Sequence, residues 1–150
     1  MNRFETWLEA TDSGVTVRRF PEGTRTAAEA ARAVGCEVGQ IVKSLVFLAG
    51  GRPVVALVSG ANRLDEGRLA GVAGEPVTKA DAGVARAATG YAIGGVPPFG
   101  HATDVPVFMD RDLLGYDVVW AAAGRPDSVF EIAPDRLREL SGARVTDLKT

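Results

Sequence analysis

Eight residues, Gly94-Gly95-Val96-Pro97-Pro98-Phe99-Gly100-His101, restrict this chain more than any other stretch. Three glycines and two prolines exclude the interior of a helix or of a central strand. Pro97 and Pro98 each fix φ and remove an N–H donor, and Pro97 biases Val96 toward extended geometry. Gly94 and Gly95 carry no Cβ, so they can take φ > 0 and let another backbone or a ligand approach their amides. Flexible glycines followed by stiff prolines predict a loop held in one shape, with N–H groups free to point at something. A plain tight connection between elements has the same composition, so the rest of the chain must decide between the two readings.

A chain of 150 residues is expected to form one domain, 1–150, with a proper core. Its formal net charge of −2 provides no global basic field of the kind that drives non-specific nucleic-acid binding, and DNA is not an expected partner. RNA contact would need a local patch, for which Arg18, Arg19, Arg25, Arg63 and Lys79 are the candidates. No apolar run approaches the roughly 20 residues of a membrane helix, and the first residues, Met1 to Trp7, lack the apolar stretch of a secretory signal. The single cysteine, Cys36, excludes an internal disulfide framework. A cytoplasmic protein without a membrane partner is the expectation. No cofactor is expected, and no metal, because one His and one Cys far apart show none of the usual ligand spacings.

Helices are predicted at Arg3–Ala10, ended by Thr11-Asp12-Ser13-Gly14, and from Thr26, an N-cap with Glu29 at the capping-box position, to Gly35. Further helices are predicted at Arg63–Val72, around Asp81–Ala88, and at Pro134–Ser141 with Gly142 after it. Strands are predicted at 15–20, followed by a Pro21-Glu22-Gly23 turn, and as a hairpin of two apolar runs joined through Ala49-Gly50-Gly51-Arg52. Three more are predicted at Val105–Met109, Val118–Ala123 and Val129–Ile132. Pro106 argues for an edge or a bulge. Helices and strands do not alternate as a doubly wound sheet requires. Asp110 and Asp112 read as turn and cap residues, with the pocket rim as a second role for Asp110.

Lys43 stands where an apolar segment enters the first hairpin strand. Burial there is costly without an anionic partner or a use for the charge; snorkelling to the surface is the alternative. His101 follows the Gly-rich loop directly, where it can move a proton or cap the loop through hydrogen bonds. Cys36 reads as a small buried hydrophobe.

Ile41-Val42-Lys43-Ser44-Leu45-Val46-Phe47, followed about 50 residues later by Thr89-Gly90-Tyr91-Ala92-Ile93 and the Gly94–His101 stretch, resembles the YbaK family. These are stand-alone relatives of the editing domain inserted in bacterial prolyl-tRNA synthetases. Val58-Ser59-Gly60-Ala61-Asn62-Arg63-Leu64-Asp65, Val105–Asp110, Ala123-Gly124-Arg125 and Phe130-Glu131-Ile132 fall in the family's order, and the similarity runs from Thr26 to Asp147. The resemblance implies an α+β fold, a largely antiparallel, partly closed sheet of six or seven strands flanked by helices. It implies a hydrolase that cleaves the ester between a small amino acid, such as Cys or Ala, and the terminal ribose of tRNA for proline. The partners would be the 3′ end of aminoacyl-tRNA and a prolyl-tRNA synthetase. Lys43 would be the residue most tied to activity. Gly94 and Gly95 would supply amides to the developing oxyanion, and water, aided by a ribose hydroxyl of the substrate, would attack. Val96, Pro97, Pro98, Phe99, Gly100 and His101, with Ser59, Gly60 and Gly124, would line the pocket. Relatives often carry small polar or Gly residues just ahead of this last glycine. Ala121, Ala122 and Ala123 stand there, which removes side-chain hydrogen bonds and leaves substrate identity open. Two other classes stay open: a tRNA- or synthetase-binding module without turnover, and a hydrolase of another small acyl ester.

Overall fold

The computed structural model describes residues 2–11, 14–21, 23–24 and 26–150. The readings that involve Asp12, Ser13, Glu22 and Arg25 lie outside the described residues. Helix α1 (Arg3–Thr11) buries Phe4 and Leu8, one turn apart on one face. After β1 (Val17–Arg19), Thr26 caps α2 (Ala27–Val34) by accepting the Glu29 N–H at 3.1 Å, and Gly35 at φ 78° closes it. The glycine pair Gly50 and Gly51, at φ 56° and 84°, joins β2 (Ile41–Ala49) to β3 (Arg52–Ser59). Both positive φ values suit a two-residue hairpin turn, which pins the register at Ala49 opposite Arg52.

Helix α3 (Glu66–Ala73) begins three residues later than periodicity predicts. Asp65 caps it, and Arg63 and Leu64 stay extended because the chain's last residues pair with them: Thr150 N–H donates to Arg63 O, and Leu64 bridges Lys149. Next come β4 (Val77–Lys79), α4 (Ala82–Thr89), β5 (Val107–Asp110), β6 (Val119–Ala122) and β7 (Ser128–Ile132). Pro106 lies just outside β5; having no N–H, it contributes only its carbonyl, to Val55 N–H at 2.9 Å. The chain closes with α5 (Pro134–Ser141) and β8 (Arg144–Thr146).

Among the described residues the eight strands form one mixed, mostly antiparallel sheet in the order β1-β7-β6-β2-β3-β5-β8, with β4 also on β2. The parallel pairs are β2/β6, β3/β5 and β5/β8. The sheet is open, with β1 and β8 at its ends, rather than partly closed. It carries one strand more than the upper expectation, because β4 and β8 are three-residue strands defined by pairing. Helices cover both faces. Ile41, Leu45, Phe47 and Ala49 of β2 face α2 and α3, with Ala30, Ala31 and Leu69. Val42 and Val46 face the larger cluster, which holds Phe4, Ala85, Phe99, Phe130 and Leu137. A strand covered on both faces reads as a continuous apolar run. Lys43 and Ser44 interrupt that run.

Candidate functional site

β2 is nine residues long, and two short strands share the edge opposite β3. β6 pairs with Ile41 and Val42, whereas β4 pairs with Phe47, Leu48 and Ala49. The sheet therefore splits over Lys43–Val46. Ala80 N–H donates to Val46 O at 3.1 Å, so the even-numbered residues of β2 present their main-chain groups to this edge. No strand register reaches Ser44 there among the described residues. Its main-chain N–H and C=O face the split, and its hydroxyl is buried without a hydrogen-bond partner.

Two adjoining hollows, of about 440 and 380 Å³, occupy the split and share Lys43, Ser44, Leu45, Ile93 and Val96. The larger adds Asn62, Arg63, Glu66, Lys79 and Ala80 toward α3 and β4. The smaller adds Thr26, Ala27, Gly94, Trp120, Ala121 and Ala122 toward α2 and β6. Lys43 is half-buried between them, and its Nζ donates to Asn62 O at 2.6 Å. Burial pushes the ammonium below its ordinary pKa, and the charge of Asp110 opposes that fall. The strand thus holds a lysine that neither snorkels nor pairs directly with a carboxylate. An ammonium has three donors, so two remain beyond the bond to Asn62 O.

The glycine–proline loop walls the split opposite Lys43 through Ile93, Gly94 and Val96. Ile93 is 57% exposed. The remainder of the loop is fixed from behind. Phe99 packs between Trp7, Phe4 and Phe130, with ring centroids 5.1–5.6 Å apart. Tyr91 Oη donates to Gly100 O at 3.1 Å, and burial pushes that phenol up to about 12, so it stays a donor. His101 Nε2 lies 2.7 Å from Pro97 O, and burial pushes the imidazole below its ordinary pKa.

Lys43, Gly94 and Val96 therefore reach the hollows, and the other residues expected there do not. Gly95 N–H is not free: it donates to Ala92 O at 3.0 Å. Gly95 is buried against backbone, where a Cβ would stand 3.1 Å from Gly124 C and from Arg125 N and Cα. Gly124, at φ 94°, supports the loop from below, wedged against Asn2, Tyr91 and Phe4. Pro97 and Pro98 are buried. Phe99, Gly100 and His101 border a different hollow, with Trp7 and Thr103, which leaves His101 as a brace for the loop. Ser59 Oγ donates to Gly39 O at 2.7 Å, and Gly60 N–H donates to Ile41 O at 2.7 Å. Both residues hold the turn out of β3 rather than the hollow wall.

Of the basic residues, Arg63 and Lys79 join Lys43 at the larger hollow. Arg18 instead lies over Phe20 and Trp120, and Arg19 pairs with Asp127. The thiol of Cys36 donates to Glu37 O and is pushed up by burial, which suits an inert side chain. No cluster of metal-ligating side chains occurs among the described residues, and none of their helices is long and apolar enough to cross a membrane. Asn62, Ser44 as a main-chain group, and Ile93 were not singled out from sequence. The available signal was two adjacent polar residues inside an apolar strand.

The profile of the aminoacyl-tRNA editing domain matches residues 21–140. The protein YwhH of Bacillus subtilis (strain 168), itself uncharacterized, is 31% identical over 143 residues, covering 95% of this chain and 88% of YwhH. A proline–tRNA ligase of Nitratidesulfovibrio vulgaris (strain DP4) is 32% identical over 123 residues; the match covers 81% of this chain but only 20% of the ligase. A solved structure put forward as a trans-editing enzyme for prolyl tRNA synthetase superposes with a TM-score of 0.93 at 47% identity, covering 100% of this chain and 98% of that one. The fold, the split sheet and these similarities converge: the chain belongs to the aminoacyl-tRNA editing domain family.

Proposed function

We propose that the protein is a trans-editing deacylase that hydrolyses the ester of a mischarged aminoacyl-tRNA. The observation that carries this reading is a half-buried lysine beside an unpaired stretch of strand edge, which with Ser44 lines both hollows of the split and has one hydrogen-bond partner, Asn62 O. Attack on an ester places negative charge on the carbonyl oxygen, and fixed N–H donors in a partly dry site stabilise it. Lys43 and Ser44 N–H are such donors. Gly95, whose amide is engaged, acts instead by bringing the loop close to Gly124.

Among the described residues the one carboxylate lining either hollow is Glu66, which is exposed, and neither hollow is lined by His101. The nucleophile is therefore a water, with the neighbouring hydroxyl of the substrate's own ribose assisting. The acyl C–O bond breaks, water supplies the new C–O bond, and the leaving ribose oxygen takes the proton. Arg63 and Lys79 hold the phosphate of the tRNA 3′ end beside Lys43.

The acyl group lies in the smaller hollow, whose β6 wall is Trp120, Ala121 and Ala122. On its border the Thr24 hydroxyl donates to Pro126 O, whereas Thr26 Oγ1 accepts Glu29 N–H and keeps its own proton. The apolar β6 wall favours a small side chain such as that of alanine or cysteine. The similarity to proline–tRNA ligases supports tRNA for proline as the carrier, the synthetase as a partner and the cytoplasm as the place of work. The test is hydrolysis of tRNA charged with Ala, Cys, Ser or Pro. Rapid loss of Ala- or Cys-tRNA for proline, with Pro-tRNA spared, supports the proposal. Turnover of none of them, with tRNA still bound, overturns it in favour of a binding module. Cleavage of small acyl esters without any RNA dependence overturns the tRNA assignment.

A further inference from the structure

Asp110 ends β5 with 1% of its surface exposed and three donors on its carboxylate. Its Oδ1 accepts Asp112 N–H at 3.0 Å; its Oδ2 accepts Ser59 N–H at 3.1 Å and Asn62 Nδ2 at 2.8 Å. The Asn62 amide also donates to Asp112 Oδ2 at 2.9 Å, and this oxygen in turn accepts Lys149 Nζ at 2.9 Å. Two carboxylate contacts fix the amide's orientation, because only its NH₂ side can donate to both. The main chain is held as well: Asn62 N–H donates to Ser59 O at 2.9 Å, and Arg63 O accepts Thr150 N–H at 3.0 Å.

Capping the turn after β5 requires only the bond to Asp112 N–H. A buried carboxylate is costly unless its partners are fixed; of the two remaining bonds one comes from Asn62, whose carbonyl receives Lys43 Nζ, and the other from Ser59, whose carbonyl accepts Asn62 N–H. From this convergence we infer that Asn62, clamped by Asp110 and Asp112, is a positioning residue that aims the Lys43 ammonium into the split sheet. The inference rests on the deacylase reading for its catalytic consequence and on geometry alone for the clamp. Besides Asp110, the charged groups around Lys43 are Asp112 behind Asn62 and Arg63, Glu66 and Lys79 on the hollow wall.

The test pairs kinetics with a measurement that needs no turnover. Asn62→Ala should lower kcat roughly tenfold or more with KM within about threefold, the signature of a misaimed group rather than lost binding. In a Lys43→Ala background the same change should cost nothing further. Wild-type kcat in Asn62→Ala, or a loss that multiplies with that of Lys43→Ala, overturns the inference. Independently, NMR titration of the Lys43 side chain should show a lower midpoint in Asp110→Asn, since the charge opposing desolvation is gone; an unchanged midpoint overturns the link. If Asp110→Asn does not fold, Asp112→Ala, on a partly exposed side chain, replaces it. Roughly threefold slower kcat supports the clamp, and an unchanged value overturns it. A wild-type protein that deacylates nothing refutes the function while the titration still decides the clamp.

Discussion

Gly95→Ala tests how the loop is held. Gly95 does not need a left-handed φ, so its requirement is steric: a Cβ would meet three main-chain atoms, Gly124 C and Arg125 N and Cα, each at 3.1 Å. Ordinary contact begins near 3.4 Å, so the backbones must separate by a few tenths of an ångström. Gly124 is itself hemmed in, since Asn2 Nδ2, Tyr91 Cε1 and Phe4 Cβ stand 3.0–3.2 Å from where its own Cβ would be. Overpacking of this kind costs about 1–3 kcal/mol, and alanine's smaller unfolded-state entropy returns about 0.4–1 kcal/mol. Taken at the middle of both ranges, the net loss is about 1.3 kcal/mol, which lowers Tm by about 3–5 °C in a chain of this size. The matched control is Gly71→Ala in α3, where nothing lies within 4 Å and alanine should stabilise by about 0.5–1 kcal/mol. Ile93, Gly94 and Val96 form the hollow wall, so the shifted loop should also reduce kcat/KM by roughly three- to tenfold. Thermal melts of the two variants beside wild type, with deacylation measured in parallel, decide the matter. A Gly95→Ala protein that melts with wild type while Gly71→Ala melts higher would refute the close-approach argument.

Two further outcomes follow from buried polar groups. Ser44→Ala removes a buried hydroxyl that makes no hydrogen bond, so stability in urea should stay level or rise by up to about 1 kcal/mol; a loss above about 1 kcal/mol would show that the hydroxyl has a partner. His101 has its pKa pushed below 6.5 by burial, so unfolding takes up a proton under mildly acid conditions. Its contribution is present above pH 6.5 and is lost as pH falls through the lowered value. His101→Gln, which keeps a donor for Pro97 O, should therefore lose less stability than wild type between pH 7 and pH 5, as read by urea denaturation; parallel curves would contradict this.

Local chemistry made much of the fold legible. Thr26, Gly35, Pro134 and Gly142 mark helix ends where the structure has them, and the Gly50-Gly51 pair marks the hairpin. Lys43 stood out because a charge interrupts an apolar strand. What stayed hidden depends on contacts distant in sequence. β4 and β8 are three residues each and exist through their register with β2 and β5, so no pattern of their own announces them. The split at Lys43–Val46 arises because strands from positions 77–79 and 119–122 share one edge of β2. The clamp on Asn62 spans 48 residues to Asp110. Composition marks the loop as rigid but not which way it faces: Phe99 packs on Phe4 and Trp7 of α1, and His101 borders a hollow that Trp7 also lines.

The central claim is that Lys43, at the open edge of β2, supplies the charge that hydrolysis requires. Single-turnover deacylation of mischarged tRNA for proline by wild type and Lys43→Ala, with tRNA binding measured alongside, tests it most directly. Removal of a preorganised donor should slow cleavage by about 10²–10³-fold while tRNA affinity falls far less. Cleavage by Lys43→Ala at the wild-type rate would contradict the claim.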